Sequence, residues 1–585
     1  MLHFLHHLLH PLKVLWAERI ALFWPFWTLT TCLSAMAVTW VVPRKKTITQ
    51  ESTQTRRYGW SRDAYLALGF LILFLACFIA MSLVREDFTY YDDSHFTNET
   101  LAGRNVSVQI WPEGGRLQPL ILQEFNLLRH FTRSVTGYHS LRIVELLLLS
   151  VILLVLDEEL SIKARVGLIA LVLITPSILT SLSGLVYSEA NIVFCLVFLV
   201  WFVKRFERTR SIAWAVAAVI SSQFMLYYKE TAFLLVVGFA TGRLLLRCWN
   251  TQQAGWDFGR LRDPESRLDM CLALLVVPFF LYFFAAMFPI YGMGYASEFR
   301  LSVKQVFLLY FKLDLLVWAL AVVVLVRVAQ ILRRKVTPAL LWDGLALAGI
   351  GYFSGYLILR IYSAYYLAPV DLIAVLYLGH LMIPSIKNMG RLTKCCALAL
   401  LCLVGLQDLS LSAFRMYEKK NVMHAKAEMG QMIAGWYRSD PEKVKRLYFP
   451  FATPFHILEF ASYLNYLGVP VEQDPTDSPT ARSVLLAGKV IQKDGPCGYR
   501  KFICHPGGHP DPGDLTVVFP DDPTRADDLV PFKQEHVERI FYYQPRPTIP
   551  SWLYPYVASL HVVSPVFPRS QLPGFWLNAQ VAVWH

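Results

Sequence analysis

Ala64-Tyr-Leu-Ala-Leu-Gly-Phe-Leu-Ile-Leu-Phe-Leu-Ala-Cys-Phe-Ile-Ala-Met-Ser-Leu-Val84 carries no charged side chain, and the ten residues that follow, Arg85-Glu-Asp-Phe-Thr-Tyr-Tyr-Asp-Asp-Ser94, carry five. A helix needs about 20 mostly apolar residues to cross about 30 Å of hydrocarbon, so the first stretch reads as a membrane span. Acids at the mouth of a span are costly to desolvate and mark a candidate site. Glu86, Asp87, Asp92 and Asp93 are those acids.

The rest of the chain extends this pattern. Of 585 residues, 55% are hydrophobic and 17% charged, against about 25% charged in an average soluble domain. Apolar runs at Ile20–Val42, Ala64–Val84, Leu141–Leu156, Ala164–Leu182, Ala190–Val203, Ile212–Tyr227, Thr231–Leu246, Met270–Phe288, Val306–Val326, Ala339–Leu359, Tyr365–Ile383 and Cys395–Phe414 predict an α-helical polytopic membrane protein of about twelve spans. The net charge of +12 is no nucleic-acid signature, because Lys and Arg cluster in short loops between apolar runs. Arg44, Lys45, Lys46, Arg56, Arg57 and Arg62 put the loop from Arg44 to Arg62 on the cytoplasmic side. Alternation then places Lys163/Arg165, Lys204 to Arg210, Arg247 to Arg267, Arg327 to Lys335 and Lys387 to Lys394 there too, and all but the first are clearly basic. The acid cluster, the loop Ser183–Glu189, Lys229 and everything after Arg415 fall on the outward, periplasmic or lumenal, face. The His- and Leu-rich start, Met1 to His10, lacks a small-x-small cleavage site and reads as a retained interfacial segment.

The chain divides into an extra span with its basic loop (1–63), a transmembrane catalytic unit (64–414, with its first outward loop at 85–140), and an extracytoplasmic tail (415–585). In the tail, Met423–Tyr437 has helical periodicity, and Thr453-Pro454 opens a helix over Phe455–Leu467. Arg446–Phe451, Ser483–Ala487, Leu515–Phe519 and Arg539–Tyr543 read as strands, which makes a small α/β domain. The Gly/Pro-rich segment Asp494–Asp514 reads as a loop. Eight of the ten cysteines lie in or beside apolar segments and behave as small hydrophobes. Cys497 and Cys504 are either a disulfide or two free thiols. The chain contains no G-x-G-x-x-G, P-loop, H-E-x-x-H or nucleophile elbow.

Three outward features carry the chemistry. Tyr90-Tyr91-Asp92-Asp93-Ser94 opens the first outward loop. Gly115-Arg116-Leu117-Gln118-Pro119-Leu120 leads into amphipathic sequence at Ile121–Val135. Leu185-Val186-Tyr187-Ser188-Glu189 and Tyr227-Tyr228-Lys229-Glu230-Thr231 put an acid and a lysine at two further outward turns. In this order the features resemble the GT-C superfamily of membrane glycosyltransferases, in particular its protein O-mannosyltransferase and lipid A aminoarabinose transferase branch, over roughly residues 64–385. Members carry an Asp, often Asp-Glu, early in that loop, then a Pro-Pro-Leu-like element, a second acid, and a Lys-Gly-like turn. Asp92-Asp93, Pro119-Leu120, Glu189 and Lys229 match; one proline is missing, Glu230 stands for the glycine, and Ile20–Val42 is an added span.

The resemblance implies an inverting transfer of a sugar from a polyprenyl-phosphate donor to an extracytoplasmic acceptor, a glycolipid, glycan or protein. Such a reaction needs a carboxylate base for the acceptor and positive charge on the leaving phosphate. Asp92 or Asp93, with Glu189, are the catalytic candidates; Lys229, Arg360 and Arg116 are the donor-phosphate candidates. No nucleotide fold is needed, since the leaving group is already on lipid phosphate. No tightly bound cofactor is expected, although Asp92, Asp93 and Glu189 have the oxygens for a weakly held Mg²⁺ or Mn²⁺. Each candidate has a plainer reading: solvated loop acids for Asp92 and Asp93, a helix-start acid for Glu189, a snorkelling side chain or a Lys229–Glu230 turn for Lys229, and an interfacial anchor for Arg360. An O-antigen ligase or polymerase would concentrate its charged residues in a late outward loop. A twelve-span secondary transporter would show Pro-broken helices and ionisable groups at midspan.

Overall fold

The computed structural model describes residues 18, 20–42, 62–83, 100–101, 103–112, 115–250, 255–287, 301–385, 390–441, 444, 446–449, 454–470, 495–496, 502–504, 512–519, 537–543 and 580–584. Asp92, Asp93, Glu86, Asp87, Cys497 and the expected strand Ser483–Ala487 lie outside them.

Helix forms within every one of the expected apolar segments. The helices are α1 (Phe23–Val41), α2 (Arg62–Ser82), α3 (Gln123–Leu128), α4 (Val135–Leu156), α5 (Ile162–Ile174), α6 (Pro176–Ser183), α7 (Ser188–Thr209), α8 (Ile212–Tyr228), α9 (Phe233–Cys248), α10 (Pro264–Leu274), α11 (Val276–Met287), α12 (Val303–Leu313), α13 (Leu315–Leu332), α14 (Leu340–Leu359), α15 (Ala368–Ser385), α16 (Arg391–Ser439) and α17 (Pro454–Tyr466). Among the described residues, seven helices are long and apolar enough to cross a bilayer, and a bent pair makes an eighth. The chain is an integral membrane protein.

Several elements depart from the sequence reading, each for a local reason. The segment Ala164–Leu182 is two helices, α5 and α6, bent by 70°. Pro176 has no N–H to continue the ladder and holds Thr175 extended (φ −69°, ψ 135°). The segment Val306–Val326 is likewise broken: Asp314 ends α12 and caps α13, its Oδ1 accepting from Val317 N at 3.1 Å. Met270–Phe288 begins earlier, at Pro264, and breaks between α10 and α11. Lys204 to Arg210, expected as loop, is mostly the last turns of α7. Cys395–Phe414 does not stop; α16 runs on for 49 residues, so position 415 falls inside a helix. Ile121–Val135 yields only the short α3.

Two bundle ends can be told apart. At one, basic residues gather: Lys163 meets Asp63 at 2.9 Å, Arg208 meets Glu158 at 2.6 Å, and Arg267 donates to the Val41 carbonyl. The opposite end holds the turns at 184–187, 229 and 360–363. Between them α9 and α14 pack closely: a Cβ at Gly238 would lie 3.0 Å from the Ala348 Cα, and one at Gly344 would meet the Arg243 side chain at 2.5 Å. Small residues at a helix contact are what lets backbones approach inside a membrane.

Two further elements stand at the opposite end, a hairpin that the sequence did not suggest and a sheet that contains three of the four expected tail strands. The hairpin β1 (Gln109–Trp111) and β2 (Arg116–Gln118) docks on the end of α8, Leu120 N donating to the Tyr227 carbonyl at 3.1 Å. The chain after α16 builds a six-stranded mixed sheet, β3 (Leu447–Phe449), β4 (Gly495–Pro496), β5 (Phe502–Cys504), β6 (Leu515–Val518), β7 (Val537–Tyr542) and β8 (Gln580–Trp584), ordered β4-β5-β3-β6-β8-β7. Strands β4 and β5 fall where a loop was expected. The sheet has its own core, in which Ile433 of α16 and Phe460 and Leu464 of α17 pack on Phe449, Leu515 and Val517.

Candidate active site

Three of the sequence candidates, drawn from stretches up to 113 residues apart (116 to 229), meet at the end opposite the basic loops. Glu189 stands in the first turn of α7, where the helix dipole favours a carboxylate. Lys229 is the extended residue that ends α8 (φ −159°, ψ 136°). Both are buried, at 1% and 3% exposure, and the Lys229 ammonium donates to Glu189 Oε1. The plainer readings of Lys229 therefore fail, since its side chain does not reach water and pairs across the bundle and not with its neighbour, whereas Glu189 does stand at a helix start. Glu230 turns the other way, to Arg116 Nε at 3.0 Å.

Aromatic rings close the site. The Lys229 ammonium lies 4.1 Å from the centroid of Tyr366 and 5.8 Å from that of Tyr365, within cation–π range. Tyr366 stacks on Tyr356 at 4.9 Å, and Tyr365 packs on Tyr187 at 4.2 Å. Thr231 Oγ1 lies 3.1 Å from the Tyr356 hydroxyl and 3.4 Å from that of Tyr352. Burial pushes the Lys229 pKa down; Glu189 opposes this, Arg116 adds to it, and the outcome is below the ordinary lysine value. This is an ammonium in a dry, ring-lined slot, with a guanidinium near enough to be felt. Such a place suits an anionic oxygen that displaces or shares Glu189.

A second buried network, missed in the sequence, holds the start of α7. Arg142 on α4, 1% exposed, donates to Glu145 at 2.6 Å, to Asn191 Oδ1 at 2.7 Å and to the Leu185 carbonyl at 2.8 Å. Asn191 in turn donates to Glu124 at 2.9 Å. Burial raises the Glu124 pKa, against the pull of Arg142 and Asn191. The signal was present: Arg142 and Glu145 are three apart in an otherwise apolar run, one helix face.

Arg360 is not brought into the cluster. It ends α14 at positive φ (59°), with its side chain exposed and its carbonyl accepting from Leu301 N at 3.1 Å. Of the suggested metal oxygens, Glu189 Oε1 is taken by Lys229, and its Oε2 has Ser188 Oγ at 3.4 Å.

The chain matches no protein-family model and no curated protein. Two solved structures are similar over most of it. One is ArnT from Cupriavidus metallidurans bound to undecaprenyl phosphate, at 13% identity and TM-score 0.42, covering 88% of this chain and 98% of that one. The other is the same protein in the apo state, at 12% identity and TM-score 0.41 with the same coverage. Likeness at this level carries no weight for chemistry.

Proposed function

We propose that this chain is a GT-C-type membrane glycosyltransferase that moves a sugar from a polyprenyl-phosphate donor to an acceptor on the side away from its basic loops. The observation that carries this reading is the convergence of Arg116, Glu189 and Lys229 in one buried, aromatic-lined cluster at the end opposite the basic loops. In this reading the bundle spans the membrane about twelve times, with the sheet-bearing tail outside. The donor's lipid lies along the apolar helices, and its phosphate reaches Lys229 and Arg116. Arg360, exposed at the same end, meets the phosphate on the bilayer side.

The chemistry then divides simply. Asp92, with Asp93 beside it, takes the proton of the acceptor as it attacks the anomeric carbon. The bond to phosphate breaks with inversion, and the cations stabilise the charge that develops on the departing oxygen. Glu189 holds Lys229 in place before the donor arrives and is displaced or shared when the phosphate binds. No cofactor is assigned a step.

Purified full-length protein in nanodiscs, supplied with a polyprenyl-phosphate sugar and an acceptor extract, tests this by mass spectrometry of the product. Asp92→Asn is expected to lower transfer by about 10²- to 10⁴-fold, the usual share of a general base. Undiminished transfer in both Asp92→Asn and Asp93→Asn would contradict the assignment of the base.

One observation favours a second reading, a secondary transporter. The bend at Pro176 sets Ser177 against the buried Asp371, whose Oδ2 accepts from the Ser177 hydroxyl, and broken helices beside buried acids are a transporter feature. Yet Asp371 is within the first turn of α15, and Asp314 is the cap of α13. Both positions are helix ends, where a carboxylate also serves as a cap or a dipole partner. Uptake of a solute into proteoliposomes without any sugar transfer would favour the transporter.

A further inference from the structure

The basic end of the bundle carries a cluster that the proposed reaction does not use. Asp157, Glu158 and Glu159 follow one another where α4 ends. Glu158 is taken by Arg208 at 2.6 Å and Arg205 at 3.8 Å. Asp157 is buried, and its Oδ2 lies 2.8 Å from Nδ1 of His380 on α15. No hydrogen bond reaches its Oδ1; the Lys204 ammonium stands 3.6 Å away. Glu159 is exposed and makes no side-chain hydrogen bond or ion pair among the described residues. One ligand atom from each of Asp157, Glu159 and His380 lies within 4.8 Å of the other two. The His380 ring is fixed by stacking on Trp342, 4.6 Å between centroids and 25° between planes.

Two carboxylate oxygens and one imidazole nitrogen suit a divalent cation of borderline softness. We propose that Asp157, Glu159 and His380 form a three-ligand site for a divalent transition cation, Zn²⁺ or Mn²⁺, with its remaining positions open to water. Bonds of about 2.0–2.2 Å set neighbouring ligand atoms about 3 Å apart, so the 2.8 Å between Asp157 and His380 needs little change. The exposed Glu159 is free to close on the ion. Lys204 then supports the second Asp157 oxygen, as groups behind a ligating carboxylate do. Arg165 lines the same small cleft with Asp157 and Trp342, and these two cations keep the site weak. The ion ties the α4–α5 turn to α15, residues 223 positions apart in the chain. The site is independent of the transfer reaction.

The test uses the full-length protein in detergent, stripped with a chelator and dialysed against Zn²⁺ or Mn²⁺, with metal per chain counted by atomic emission. His3, His6, His7 and His10 bind Zn²⁺ in their own right, so differences between variants are read. His380→Ala is expected to lose one equivalent. Glu159→Gln is expected to weaken that equivalent by about tenfold or more. The pair His6→Ala, His7→Ala retains it. Equal stoichiometry and affinity in wild type, Glu159→Gln and His380→Ala would make Lys204, Asp157 and His380 an ion-pair cluster only, and would overturn the proposal. Glu159→Gln changes an exposed side chain, so its binding decides the matter if His380→Ala does not fold.

Discussion

Two of the buried ion pairs among the described residues, one near each end of the bundle, are built differently. Near the basic end Arg243, wholly buried, donates from Nε to Asp269 and from Nη2 to Glu207, both at 2.8 Å, joining α9 to α10 and α7. At the opposite end Lys229 presents a single ammonium to Glu189, with rings on its other sides. A guanidinium has a rigid fork of donors that two carboxylates can fill, whereas an ammonium is a point charge that changes partners readily. The first pair is arranged as a staple. The second is arranged as a contact that a ligand can replace.

The comparison breaks most visibly under paired substitutions. Exchanging a buried ion pair for neutral groups of similar volume is often neutral for stability. Glu189→Gln with Lys229→Met should therefore fold near normally yet lose about 100-fold or more in transfer, the order expected when a transition-state donor is removed. Arg243→Met with Asp269→Leu should fold and keep its transfer. Equal losses from both exchanges would erase the distinction.

Single substitutions come next. Arg243→Ala leaves Asp269 and Glu207 only the more distant Arg247, at 3.9 and 3.6 Å, and should cost about 3 kcal/mol, read as lower resistance to thermal unfolding in detergent with transfer per folded molecule retained. A preserved melting temperature would mean that the staple carries no stability.

How much of this was legible beforehand follows from the physics of each feature. Spans were legible because a bilayer demands long apolar runs, and helix appears in each segment named. The bends at Pro176 and Asp314 were present in the sequence as a helix-breaking and a capping residue, but hydropathy averaged over a window hides them. The run-on of α16 past Phe414 was hidden because its apolar face continues at helical spacing while mean polarity rises. At the site, Arg116, Glu189 and Lys229 were named from their order and turn positions. Their pairing was not, since Glu189 reaching Lys229 and Arg116 reaching Glu230 are facts of helix packing. The Arg142 network was overlooked because a charged residue inside an apolar run was read as part of the span. Asp92 and Asp93 lie outside the described residues, so their share of the site rests on the sequence.

The central claim is that Lys229 receives a lipid phosphate. Undecaprenyl phosphate binding to the full-length protein in nanodiscs, measured for wild type and Lys229→Ala, tests it without any need for the acceptor or the sugar. The account predicts that binding weakens by about tenfold or more in the variant, at least the 1.4 kcal/mol of one lost charge-assisted contact, and that Arg243→Met with Asp269→Leu binds as wild type. Equal affinity in Lys229→Ala and wild type would contradict it.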